Sequence, residues 1–120
     1  MSYTFDNNIP IYIQLANIVR VDIVSGKLSI GSRLPSVREL AFYYKVNPNT
    51  MQKALVELEQ EKLIYTERTN GKYVTEDKKV INKIKEKLAK EKVNDYLNSM
   101  NSIGITYEES IKYLQELGGK

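Results

Sequence analysis

Residues Leu34 to Thr50 read LPSVRELAFYYKVNPNT and contain two helix starts in close succession. Ser36 and Glu39 stand in the S-x-x-E spacing of a capping box, so a helix is expected from Ser36. Asn47 before Pro48 marks a second start, because Asn caps well and Pro at the first helical position loses no N–H that the helix needs. Two short helices entered this way, with a tight connection between them, form a helix-turn-helix. The second helix opens on Pro48, Asn49, Thr50, Gln52 and Lys53, a polar and basic end suited to the edges of bases in a DNA major groove.

The remaining composition narrows the function classes. The 120 residues hold one ordinary domain, or a small domain with an appendage. Net charge is +3, mildly basic and compatible with a polyanionic partner. Residues 1–75 carry nine Lys/Arg against seven Asp/Glu, and residues 76–120 carry nine against eight, so the basicity is no tail. The chain has neither Cys nor His, which removes disulfides, thiolate metal sites and the commonest zinc ligand and general base. The N-terminus lacks a basic and apolar leader pattern, and no apolar run approaches bilayer length, so a cytoplasmic protein without a membrane partner is expected.

Upstream of the opening stretch, Ile9-Pro10 begins a helix, with Asn8 as a nearby cap. Ile11, Leu15, Ile18, Val19 and Ile23 form its core-facing stripe, and Ser25-Gly26 ends it. Arg33-Leu34 can add a short strand. Downstream, the helix from Ser36 to about Tyr44 turns Val37, Leu40 and Ala41 inward. The helix from Pro48 to about Glu61 turns Met51, Ala54, Leu55 and Leu58 inward and leaves Asn49, Gln52, Lys53 and Glu57 outside. Glu57, Glu59 and Glu61 crowd its far end, so the end at Pro48 is the one expected to approach phosphates. Two short β-prone segments, Leu63 to Thr66 and Tyr73 to Thr75, flank Asn70-Gly71, a strong hairpin signal. A hairpin directly after a helix-turn-helix is a wing, and Arg68 and Lys72 would sit on it at the height of a phosphate backbone or minor groove.

Beyond Glu76 the texture becomes rich in Lys, Glu, Leu, Ile and Asn. Residues 77–101 form one long amphipathic helix or two with a bend, with a stripe of Ile81, Ile84 and Leu88 that resumes at Val93, Tyr96, Leu97 and Met100. Thr106 and Glu109 repeat the capping-box spacing and open a last short helix with Tyr107, Ile111 and Leu114, closed by Gly118-Gly119. These stripes need a cover, and a second copy of the chain supplies one. Ile81, Ile84, Leu88, Tyr96, Tyr107, Ile111 and Leu114 are the expected dimerisation residues. The expected fold is mainly α with a small β-hairpin: a winged helix-turn-helix over residues 1–76, then a helical dimerisation or regulatory segment over 77–120.

The ordered set Ile9-Pro10-Ile11-Tyr12-Ile13-Gln14-Leu15, Gly26-Lys27-Leu28, Gly31, Leu34-Pro35-Ser36-Val37-Arg38-Glu39-Leu40-Ala41, Val46-Asn47-Pro48-Asn49-Thr50, Ala54, Leu58-Glu59, Leu63-Ile64 and Gly71-Lys72-Tyr73-Val74 resembles the GntR family of bacterial transcription regulators. The short helical remainder looks like the YtrA-type subgroup, which lacks larger ligand-binding domains. The resemblance implies a homodimer on a double-stranded DNA operator of two related half-sites, usually repressing. It implies DNA contact by Arg38 in the P-S-x-R-E-L segment, by Asn47, Pro48, Asn49, Thr50, Gln52 and Lys53 at the recognition helix, and by Asn70, Gly71 and Lys72 at the wing. Ser36 belongs to the same segment and is grouped with them. Two departures stand out. Lys62 occupies a position where the family often has Gly, and Thr69-Asn70 replaces a Gly-rich wing.

Taken alone, several of these residues have plainer readings. Arg38 can pair with a surface carboxylate at little gain. Asn47 is expected to use its side chain on its own helix, which leaves Asn49 and Thr50 as the better base or phosphate contacts. Arg68 and Lys72 can be hairpin solubilisers. The nine Tyr residues, from Tyr3 to Tyr113, are scattered and read as core edges with wet hydroxyls. Glu57 and Glu61 share a helix face, but no nucleophile, metal set or phosphate loop accompanies them, so neither catalysis nor a cofactor is expected. A small-molecule effector stays open. The rival reading is a winged helix used as a protein-interaction adaptor, disfavoured because its polar helix start is unlike the apolar centre of a protein interface.

Overall fold

The computed structural model describes residues 4–119. Among them are five helices and one two-stranded antiparallel sheet, in the order α1 (Ile11–Val24), α2 (Val37–Tyr44), α3 (Pro48–Gln60), β1 (Ile64–Glu67), β2 (Gly71–Val74), α4 (Lys78–Ser102) and α5 (Tyr107–Gly118). The chain divides into two compact units, one ending at Ile84 and the next beginning at Lys85. The division therefore falls inside α4 rather than at residue 76. Tyr3 lies outside the described residues.

In the first unit the apolar periodicities meet in one core. Leu15, Val19 and Ile23 of α1 close against Met51, Ala54, Leu55 and Leu58 of α3, with Leu34, Ala41, Leu63, Ile64 and Val74 around them. Ile11, expected in the stripe, is exposed, and Ala16 is buried in its place at the next turn. Asn8 does not cap α1. Gln14 folds back instead, accepting from the Asp6 N–H at 2.8 Å and donating to the carbonyls of Asp6 and Ile9 at 2.7 and 2.8 Å. Tyr44 is buried, and the exposed ring of Tyr43 meets it edge-on with centroids 4.9 Å apart. The first turns of α4 complete this core: Ile81 is buried, and Val80 and Ile84 pack against it. Ile81, expected at a dimer face, is thus committed to its own chain, because the helix begins tangent to the core rather than after it.

Both helices of the helix-turn-helix stop on a left-handed lysine. Lys45 (φ 58°) ends α2, and Lys62 (φ 68°) follows the C-cap of α3, where the Leu63 N–H reaches the Leu58 carbonyl at 3.0 Å. Such a φ crowds a Cβ and favours Gly. Lys62→Gly is therefore expected to stabilise the protein by about 0.5–1 kcal/mol, once the added freedom of the unfolded chain is subtracted. A thermal melt should show Tm rising by about 2–6 °C. An unchanged or lower Tm would mean that the Lys62 side chain contributes something the strain argument omits.

The wing pairs Ile64 with Val74, Tyr65 with Tyr73, Thr66 with Lys72 and Glu67 with Gly71. Its loop is Arg68-Thr69-Asn70, with Gly71 at φ 94° as the first residue of β2. The Asn-Gly pair thus closes a three-residue loop with a left-handed Gly, not the two-residue turn. The expected strand at Arg33-Leu34 is an isolated bridge from Arg33 to Tyr73, extended by Leu34 N–H to the Lys72 carbonyl (2.8 Å) and Val74 N–H to the Ser32 carbonyl (2.9 Å).

The second unit contains the rest of α4, unbroken through Ser102, and α5. Thr106 and Glu109 form the expected capping box, and Gly119 is the C-cap. Tyr96 donates its hydroxyl to the Ser110 carbonyl at 2.7 Å, and Ser110 is buried between the helices. No large apolar side chain is buried among the described residues of this unit. Leu88, Tyr96, Leu97 and Met100 are half-buried, whereas Tyr107, Ile111, Leu114 and Leu117 are exposed, Leu117 at 77%.

Candidate nucleic-acid interface

The interface is built on α3, whose two faces separate cleanly. Met51, Ala54, Leu55 and Leu58 are buried, and Asn49, Gln52, Lys53 and Val56 form the exposed stripe at the same helical spacing. Asn47 is the N-cap: its Oδ1 accepts the Asn49 N–H at 2.8 Å, which leaves the Asn49 side chain pointing from the first turn. Pro48 follows at the first helical position, and Thr50 is half-buried. Lys53 carries its ammonium over the Tyr12 ring at 5.2 Å from the centroid, a cation–π contact that steadies an exposed cation at the mouth of the site. Tyr12 is a supporting residue that its place in the α1 motif did not reveal.

Helix α2 presents Arg38 outward from its first turn. Ser36 cannot reach far, because its Oγ accepts the Glu39 N–H at 3.1 Å while its own N–H donates to Glu39 Oε1 at 3.0 Å. That backbone hydrogen bond holds the Glu39 carboxyl below the usual carboxylate range. Phe42 is 87% exposed on the same helix, an aromatic that no apolar pattern in α2 accounts for.

Two of the three glutamates at the far end of α3 are neutralised inside the chain. Glu61 is gripped by Arg20 of α1 through paired bonds of 2.8 and 2.6 Å. Glu59 accepts from the Lys72 ammonium and from the Thr66 hydroxyl (3.0 Å). Burial pushes the Glu59 carboxyl up, but the hydrogen bonds from Lys72 and Thr66 pull harder together, and it lies below its ordinary value. The cause is register: Ile64, Thr66, Lys72 and Val74 share the face of the hairpin turned to α3. Lys72, expected at phosphate, is therefore held by Glu59, and the terminal carboxylates repel DNA less than their number implies. Arg68 and Asn70 are exposed on the loop, with Gly71 beside them.

One cation absent from the sequence expectation enters the site. The bridge to Tyr73 places Arg33 beside the wing, and its guanidinium lies 3.4 Å from where a Cβ on Gly71 would stand. The pairing of Arg33-Leu34 with β2 was the signal that could have found it.

A polar recognition helix on a buried support, preceded by a capped helix and followed by a hairpin, defines a winged-helix transcription regulator. Comparison with known proteins agrees. The sequence pattern of the bacterial regulatory proteins, gntR family, matches residues 11–74. The HTH-type transcriptional repressor YtrA of Bacillus subtilis (strain 168) is 34% identical over 117 residues, covering 92% of this chain and 90% of its own. The uncharacterized HTH-type transcriptional regulator YhcF of the same organism is 35% identical over 112 residues and 93% of each chain. A solved GntR family transcriptional regulator from Listeria monocytogenes superposes with a TM-score of 0.85 at 40% identity, covering 94% of this chain and 99% of that one. The chain belongs to the gntR family of bacterial regulatory proteins.

Proposed function

We propose that this chain is a cytoplasmic transcription repressor that binds a palindromic operator as a homodimer. The observation that carries the reading is the exposed Asn49, Gln52 and Lys53 stripe on a helix whose opposite face is fully buried. A rigidly backed polar stripe of this kind suits the major groove, where Asn and Gln read adenine edges and Lys reads guanine. Arg38 would fix the register by a phosphate contact, and Arg68, Asn70 and Gly71 would bring the wing to the adjacent backbone or minor groove.

Two copies joined through the segment from Lys85 onward would set two recognition helices into successive major grooves, with half-sites about one helical turn apart. The dimer is supported by the uncovered apolar side chains of α5. Repression is supported by the likeness to the transcriptional repressor YtrA. Among the described residues no helix is long and apolar enough to cross a membrane.

Selection from random duplexes with the full chain, followed by sequencing of what is retained, tests the reading. Two related half-sites in inverted arrangement are expected. No enrichment even at low salt would replace this reading by that of a protein-interaction adaptor.

A further inference from the structure

We propose that Arg33 is a DNA-backbone anchor at the wing, in the position expected of Lys72. The inference rests on the DNA-binding reading above. The wing brings two cations to its base, and they are not equivalent. The Lys72 ammonium is bound by Glu59 and lies 3.0 Å from the Thr66 hydroxyl, with only 15% of its side chain exposed. Arg33 is exposed, and it lies against Gly71 on the edge of β2. Its main chain is fixed there by the bridge to Tyr73 and by the flanking bonds through Ser32 and Leu34. A strand-held backbone fixes the point from which the guanidinium reaches, so only side-chain rotations remain to be ordered when it closes on an acceptor.

The surface beside Arg33 has the shape for that acceptor. A cleft of about 570 Å³ separates the start of α2 from the wing, lined in part by Arg33, Pro35, Ser36, Glu39, Thr66 and Gly71. Glu39 bonds back onto Ser36 and meets Arg33 only by attraction through space, whereas the Lys72 ammonium is bonded to Glu59, so Arg33 is the lining cation whose hydrogen-bond donors remain to answer a phosphate. Gly71 matters here as an absent side chain. A Cβ would stand in contact with the guanidinium, and the φ of 94° would strain any other residue. A planar fork that meets phosphate oxygens in pairs suits the site better than a point charge would.

The test is salt dependence, because each phosphate contact contributes about 0.9 to the slope of log affinity against log salt. Binding of the full chain is measured on a duplex retained from the random library and on a mixed-sequence duplex. Arg33→Ala is expected to lower the slope by about 0.9 per bound chain on both duplexes. The affinity ratio between about 50 and 200 mM salt then shrinks three- to fourfold per chain. Arg33→Lys keeps the charge and is expected to retain the slope.

The double variant Glu59→Gln/Lys72→Met removes both members of the internal pair and loosens the wing, but it takes away no free cation, so its slope is expected to fall by clearly less than that of Arg33→Ala. A wild-type slope in Arg33→Ala, while Arg38→Ala still weakens binding, overturns the anchor and leaves the regulator reading intact. A slope lost in the double variant instead assigns the contact to Lys72 and also overturns it. A wild-type chain with no salt-dependent binding to either duplex overturns both readings together.

Discussion

Replacing Arg38 by alanine is expected to weaken binding to a selected duplex by roughly 10²–10⁴-fold while thermal stability stays near wild type. A hydrogen bond to a charged group contributes about 1.5–3 kcal/mol, and each 1.4 kcal/mol is a factor of about ten. The substitution acts once in each copy, so a dimer loses the contribution twice. Stability is insulated because Arg38 is exposed and makes no part of the core, and surface changes of that kind stay within about 0.5 kcal/mol. Asn49→Ala is the informative companion. It should remove the preference at one base position in each half-site, by about 1–3 kcal/mol, yet leave affinity for a mixed-sequence duplex nearly unchanged. Titration of both duplexes with each variant separates a backbone contact from a base contact. Unchanged affinity and selectivity in both variants would sink the assignment of the site to the start of α3 and the first turn of α2.

The second large effect concerns α5. Ile111→Asp or Leu114→Asp is expected to convert a dimer into monomers at micromolar concentration. Both side chains are exposed, and Leu114 lines a groove of about 520 Å³ together with Met100 and Ile103. Full burial of such a side chain contributes about 1.5–3 kcal/mol, and a symmetric interface contains it twice. A buried unpaired carboxylate adds a further penalty, so the dimer should weaken by at least about 10³-fold. The Thr106–Glu109 capping box is untouched by either change, so α5 should stay helical by circular dichroism. Sedimentation is the measurement, with Glu116→Ala as an exposed control on the same helix. Dimers of wild-type strength in both aspartate variants would remove the second unit from the interface.

Local chemistry made much of this molecule legible. Both capping boxes and the Asn47-Pro48 start appear where side-chain spacing put them, because each needs only neighbours within one turn. The period of α3 separated its buried face from its exposed one for the same reason. What the sequence hid depends on residues brought together from afar. The fate of Lys72 was decided by the hairpin register and by Glu59, thirteen positions away. The burial of Ile81 was decided by where α4 meets the core, and no stripe within α4 carries that information. Arg33 stands in a segment whose extended form is legible, but its place beside the wing depends on pairing with the distant Tyr73. Gln14 displaced Asn8 as the organiser of the N-terminal turn by reaching back eight positions to Asp6.

The contact of Glu59 with Lys72 and Thr66 has a mechanical consequence. It ties the far end of α3 to the hairpin, so the helix proposed to read the major groove and the wing move as one body. A gauge with fixed jaws cannot adjust to its workpiece. Any mismatch between jaw spacing and groove width must be absorbed by the duplex, at a cost set by the stiffness of the base steps in between. Sequence would then be sensed at steps that no side chain touches, through how readily they bend.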